Sequence, residues 1–119
     1  MADWILVSYR DARGRVPIDE YLDTLQIRDR AHVLRKIELL GEYGPNLRMP
    51  HARHLRGKVW ELRIDMRPNS YQVLYAAAAG RKFVLLHCYA KKSERTPESE
   101  METVERRLAD YLARSTQDG

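Results

Sequence analysis

Arg63, Arg67, His87, Tyr89 and Lys92 have the types and spacing to act on a phosphodiester. Arginine and lysine hold a phosphate and offset the charge that builds on it. A histidine moves a proton near neutral pH, and a tyrosine stacks on a base. His87 and Tyr89 stand two apart, so on a strand they share a face, and Lys91-Lys92 follow directly. RNA brings its own nucleophile, the 2′-hydroxyl, so such a set needs no serine or cysteine. The surroundings are basic. Arg48 to Lys92 contains ten Lys/Arg against two acids, Glu61 and Asp65, a net +8. The rest of the chain holds eleven cations and fifteen acids, a net −4, for a total of +4. That distribution predicts one cationic surface, as a phosphate backbone requires. Arg48, Arg53, His54, Arg56, Lys58, Gln72 and Lys91 are the candidate RNA or ribosome contacts.

Each residue also has a plainer reading, as a solvated charge or a packing side chain. His87 follows the apolar Val84-Leu85-Leu86 and suits a structural histidine equally well; Tyr89 suits packing against a helix. His51-x-x-His54 without further ligands nearby is a poor zinc signal, and no metal or other cofactor is expected. Trp60 and Tyr75 read as core residues, and Cys88 as buried filler.

The elements that would position these residues follow from hydrophobic period. Trp4 to Tyr9 reads as a strand. Pro17 opens a helix with Ile18, Tyr21, Leu22 and Leu25 on one face. A second helix is expected from about Asp29 to Tyr43, with Ala31, Leu34, Ile37 and Leu40 inward, stopped by Gly44-Pro45-Asn46. Val59 to Asp65 alternates, placing Trp60, Leu62 and Ile64 against Glu61, Arg63 and Asp65. Arg67-Pro68-Asn69-Ser70 and Ala79-Gly80-Arg81 are turns flanking strands at Tyr71–Ala77 and Phe83–Ala90. Thr96 is a candidate cap for a last helix with Pro97 in its first position and Met101, Val104, Leu108, Tyr111 and Leu112 inward. The expected fold is α+β: an N-terminal strand, a two-helix hairpin, a three-stranded antiparallel meander and a C-terminal helix, with helices on one sheet face and Arg63 on the open face.

Length and composition bound the rest. The chain has 119 residues, 44% hydrophobic and 32% charged, which fits one domain over 1–119. No apolar run is long enough for a membrane span, so no membrane partner is expected. Met1-Ala2-Asp3-Trp4 lacks the pattern of a secretory leader, and Cys88 is the single cysteine. A cytoplasmic setting is expected.

Taken together, several motifs resemble the RelE/HigB superfamily of type II toxins, in its phage-derived Gp49-like, HigB-type branch. They are His54-Leu55-Arg56-Gly57-Lys58-Val59-Trp60-Glu61-Leu62-Arg63, Tyr71-Gln72-Val73-Leu74-Tyr75 and Val84-Leu85-Leu86-His87-Cys88-Tyr89-Ala90-Lys91-Lys92, then Thr96-Pro97 and Glu105-Arg106-Arg107-Leu108. The resemblance implies a RelE-like fold and a ribosome-dependent endoribonuclease that cuts mRNA by 2′-hydroxyl attack. The products would be a 2′,3′-cyclic phosphate and a 5′-hydroxyl. It also implies a cognate antitoxin, often of helix-turn-helix type. By position, Arg63 and Lys92 match basic residues of related toxins, while His87 and Tyr89 fall in the strand-end region that supplies catalytic His and Tyr in HigB-like members. The chain departs from the pattern at Gln72, where many relatives have a phosphate-binding arginine. Glutamine donates a hydrogen bond but brings no charge, so Arg63 or Arg67 would have to supply it. The competing reading is a non-catalytic nucleic-acid- or partner-binding protein that retains the fold. A DNA-binding repressor fits less well, because neither helix before Gly44 is markedly basic.

Overall fold

A computed structural model of the chain describes residues 4–118, with side chains to residue 115. Met1-Ala2-Asp3, read above for a leader, lies outside the described residues. The described residues form a mixed α+β fold with a five-stranded sheet and three helices. Strand β1 (Ile5–Ser8) is followed by α1 (Pro17–Asp23), α2 (Ile27–Tyr43) and a single 3-10 turn at Gly44–Asn46. Strands β2 (Ala52–Arg56), β3 (Val59–Ile64), β4 (Tyr71–Ala78) and β5 (Lys82–Ala90) come next, and α3 (Glu98–Asp118) closes the chain. The sheet order is β1-β5-β4-β3-β2, with β1 parallel to β5 and every other pair antiparallel.

Two expectations need correction. The meander has four strands, because β2 pairs with β3 through Ala52↔Leu62, Arg53↔Glu61 and His54↔Trp60. Its sequence, Ala-Arg-His-Leu-Arg, shows little apolar alternation: only Ala52 is buried, and the hairpin turn Gly57-Lys58 sits inside the basic segment that begins at Arg48. Nor do the helices share one sheet face. Helices α1 and α2 pack Ile18, Leu22, Val33, Ile37 and Leu40 against Leu62, Ile64, Val73, Tyr75 and Leu85. Helix α3 packs Met101, Val104 and Leu108 on the opposite face, over Val59, Leu74, Val84, Leu86 and Tyr89. Both faces of the central strands are therefore covered, and β4 is buried from Tyr71 to Ala76.

Local details follow from the same physics. Pro17 starts α1 where its missing N–H costs nothing, and Asp19 and Glu20 face the positive end of the helix dipole. Helix α2 turns its Val33–Ile37–Leu40 stripe inward and leaves Leu34 43% exposed, so its buried face is rotated from the expected Ala31–Leu34 stripe. Gly44 ends it at φ +57°, and a Cβ there would lie 2.6 Å from the Trp4 indole. Helix α3 starts at Glu98; the Pro97 carbonyl accepts from the Glu100 and Met101 amides. Cys88 is buried on the α1/α2 side, away from His87 and Tyr89, and burial pushes its thiol up to about 12.

Candidate active site

The α3-side face of the sheet carries Glu61 and Arg63 on β3, Gln72 on β4, and His87 and Tyr89 on β5. Helix α3 covers one part of this face and leaves the other open.

Under α3 the polar groups are tied to one another. Glu61 and Gln72 are both 0% exposed. The Gln72 amide Nε2 donates to Glu61 Oε1 at 2.7 Å and to Thr96 Oγ1 at 3.2 Å, while its Oε1 accepts from the Tyr89 hydroxyl at 2.9 Å. Arg53 Nη2 reaches Glu61 Oε2 at 2.9 Å. Burial pushes the Tyr89 phenol up to about 12, so it stays a donor near neutral pH. A buried carboxylate is tolerable only with such compensation.

His87 is held equally firmly. Its ring stacks on Tyr89 with centroids 5.6 Å apart. Nε2 meets Glu100 Oε1 at 2.5 Å, and Nδ1 meets Arg107 Nη1 at 3.1 Å. Arginine has only donors to offer, so Nδ1 accepts and Nε2–H donates; this is the neutral tautomer. Burial lowers the pKa below the ordinary 6.5 and Arg107 adds to this, while Glu100 opposes it. Arg107 also donates to the Leu86 carbonyl. Arg56 clamps Glu98 and Glu105, and the Tyr9 hydroxyl donates to Asp110 at 2.6 Å, so α3 is fastened along its length.

Beyond the start of α3 the picture changes. Arg63, Asp65, Ser70, Lys91, Lys92, Ser93 and Glu94 line an open cleft of about 310 Å³. The Arg63 side chain is 15% exposed, with its guanidinium only at long range, 3.9 Å, from Asp65 and Glu94. Arg63 Nε and Lys91 Nζ are buried and have no hydrogen-bond partner. Leaving such donors unpaired is costly. The β3–β4 turn beside the cleft is tied to α2: Tyr71 and Asn69 donate to Asp29 at 2.5 and 3.2 Å, and Arg28 donates to the Arg67 carbonyl. The Lys91 amide donates to the Ser70 carbonyl, fixing Lys91 beside that turn.

The expected site residues thus separate. Arg63, Lys91 and Lys92 come together in the cleft. Arg67 is exposed on the adjoining turn and is not among the cleft's lining residues; His87, Tyr89 and Gln72 lie under α3. The basic surface is divided as well. Arg48, Arg53 and His54 line a depression beside Trp60, Arg56 turns to the acids of α3, and Lys58 is exposed at the β2–β3 turn. His51 and His54 do not converge: Nδ1 of His51 meets Lys36 Nζ at 3.0 Å, and Nε2 of His54 meets the Gly57 carbonyl at 2.8 Å. Thr96 serves Gln72 instead of the expected helix cap. Ser70, Ser93, Asp65 and Glu94 are cleft residues that sequence reasoning missed, and the turn signal at Arg67–Ser70 was the one pointer to them.

Residues 20–109 match the model of the family described as phage derived protein Gp49-like (DUF891). The chain belongs to this family. It lies within the RelE/HigB-like toxin superfamily, and its members are in general toxins of toxin–antitoxin systems, which makes an antitoxin the implied partner. A search of curated proteins finds no match. Among the described residues no helix is long and apolar enough to cross a membrane.

Proposed function

We propose that this protein is the toxin of a type II system, a ribosome-dependent mRNA endoribonuclease that works by 2′-hydroxyl attack without a metal. One observation carries the reading: Arg63, Lys91 and Lys92 gather at one open cleft, and Arg63 Nε and Lys91 Nζ have no hydrogen-bond partner. That is a phosphate's environment before the phosphate arrives. In this reading Arg63, Lys91 and Lys92 hold the scissile phosphate. The 2′-oxygen bonds to phosphorus, the bond from phosphorus to the 5′-oxygen breaks, and the products are a 2′,3′-cyclic phosphate and a 5′-hydroxyl. Asp65 and Glu94 are the carboxylates lining the cleft and would take the 2′-hydroxyl proton; a lysine ammonium would protonate the leaving oxygen. Arg67 would attract RNA from the adjoining turn. His87 and Tyr89, the proton carrier and stacking group expected from type and spacing, become supports: with Gln72 they fix the sheet under the cleft.

A specific observation favours the second reading, a non-catalytic nucleic-acid- or partner-binding protein. Among the described residues no imidazole lines the cleft, and both nitrogens of His87 are engaged elsewhere. Incubating purified, chelator-treated and desalted protein with ribosomes programmed with mRNA, in magnesium buffer, separates the two. Cleavage products ending in 2′,3′-cyclic phosphate support the nuclease. Intact mRNA that co-sediments with the protein supports binding alone. The helix-turn-helix character of the antitoxin and a cytoplasmic site of action belong to the same proposal.

A further inference from the structure

A second concave surface lies on the other side of the sheet. Trp4, Pro45, Leu47, Trp60, Tyr75, Ala77 and Phe83 line a pocket of about 230 Å³ with an almost wholly apolar wall. It is a built feature. Trp4 stacks on Phe83 with centroids 4.4 Å apart, Arg81 lies over the outer face of the indole at 5.4 Å, and only a glycine at position 44 leaves room for that ring. Trp60 is 37% exposed, on the same strand face as the buried Leu62 and Ile64. The pocket runs into two neighbouring depressions through shared residues: Pro45 and Trp60 on one side, Leu47 on the other. Those add Tyr43 and Met49, each more than half exposed, together with Arg48, Arg53, His51 and His54. None of the three linings contains an acidic residue.

An exposed apolar groove with an exclusively basic border is costly to leave in water and marks a contact surface. The geometry points to a docking groove for an acidic segment of a partner protein, one that inserts a single large apolar side chain between Trp4 and Trp60 and sets a carboxylate against Arg48. Charge complementarity selects the acid, and the apolar wall selects the anchor, in the way buried aromatic anchors dominate protein interfaces. RNA fits this groove less well. Its wall offers few groups to hydrogen-bond base edges, and its lining includes no lysine. Trp60 and Arg63 also stand three apart on β3, so a strand following the phosphate cleft would have to cross to the opposite sheet face to enter it.

Selection of a random twelve-residue peptide library on the folded full-length chain tests this, with Trp60→Ala and Arg48→Glu as comparison proteins. Arg48 is exposed, so its variant keeps the test alive should Trp60→Ala fail to fold. The expected result is enrichment of peptides pairing Asp or Glu with Trp, Phe or Leu, bound at least about tenfold more weakly by each folded variant. Failure to enrich, or enriched peptides that lack acids or bind the variants equally, overturns the proposal. So does a single-stranded oligouridine bound about tenfold more weakly by the same variants, which would assign the groove to RNA. Concentration-dependent dimerisation abolished by Trp60→Ala would assign it to a second copy and overturn the proposal equally. Because the readout is binding, it is independent of whether the protein cleaves mRNA.

Discussion

One sheet face holds two polar regions with opposite bookkeeping. Under α3, Glu61 is matched by Arg53 and Gln72, Gln72 by Tyr89 and Thr96, and His87 by Glu100 and Arg107. A short way along the same strands, Arg63 Nε and Lys91 Nζ are buried with nothing to donate to. Chemically suggestive residues occur in both. The difference is one of degree: under α3 the carboxylate, amide and imidazole are all matched and only Arg53 Nε is not, while in the cleft both Arg63 and Lys91 carry an unmatched nitrogen. In the proposed function the open region is the one that takes the phosphate.

Substitution should drive the two regions apart. The largest effect is expected from Arg63→Ala, which removes a preorganised charge from the cleft. The cleavage rate should fall by about 100-fold or more, with a melting temperature close to wild type. Lys91→Met should behave alike in a ribosome cleavage assay. Glu61→Ala should do the reverse, stranding Gln72 Nε2 and Arg53. It should cost about 3 kcal/mol in urea unfolding, the lower end of the range for breaking a buried pair because Arg53 is 40% exposed. Activity per folded molecule should change little. Loss of stability in Arg63→Ala, or a catalytic collapse in well-folded Glu61→Ala, would erase the contrast. Thr96→Val should show a smaller effect of the same kind, about 1 kcal/mol.

The smallest effect concerns pH. His87 is held with a lowered pKa, so as the solution is acidified through 6.5 the unfolded chain takes up its proton before the folded one. That contribution to stability is intact above 6.5 and is lost as pH falls from there toward the lowered folded value. His87→Gln, neutral throughout, should flatten the corresponding slope of the urea midpoint. An unchanged slope would show that His87 does not titrate differently on folding.

How much of this was legible from residues alone depended on whether the deciding interaction was local. The alternation of Leu62 and Ile64, the Pro17 start, the Gly44 stop and the shared face of His87 and Tyr89 are local, and the structure contains them. Strand β2 was not legible, since a half-exposed edge strand of Ala, Arg and His has no apolar pattern and is defined by its partner β3. The buried carboxylate of Glu61 was hidden for the same reason: its compensation comes from β2 and β4. Helix α3 mattered most. Its stripe was readable, but which sheet face it would cover was not, and that choice moved His87, Tyr89 and Gln72 from an open surface to the interior. Arg63 stayed at the margin because α3 begins only at Glu98.

The central claim, that the open cleft and not the covered network carries the chemistry, is tested most directly in growing bacteria. Wild type, Arg63→Ala and His87→Gln would be induced to equal levels, with mRNA 5′ ends mapped. The account predicts growth arrest and new cuts within translated codons for wild type and His87→Gln, and neither for Arg63→Ala. Cuts that persist in Arg63→Ala and vanish in a folded His87→Gln would contradict it and return the catalytic role to the histidine.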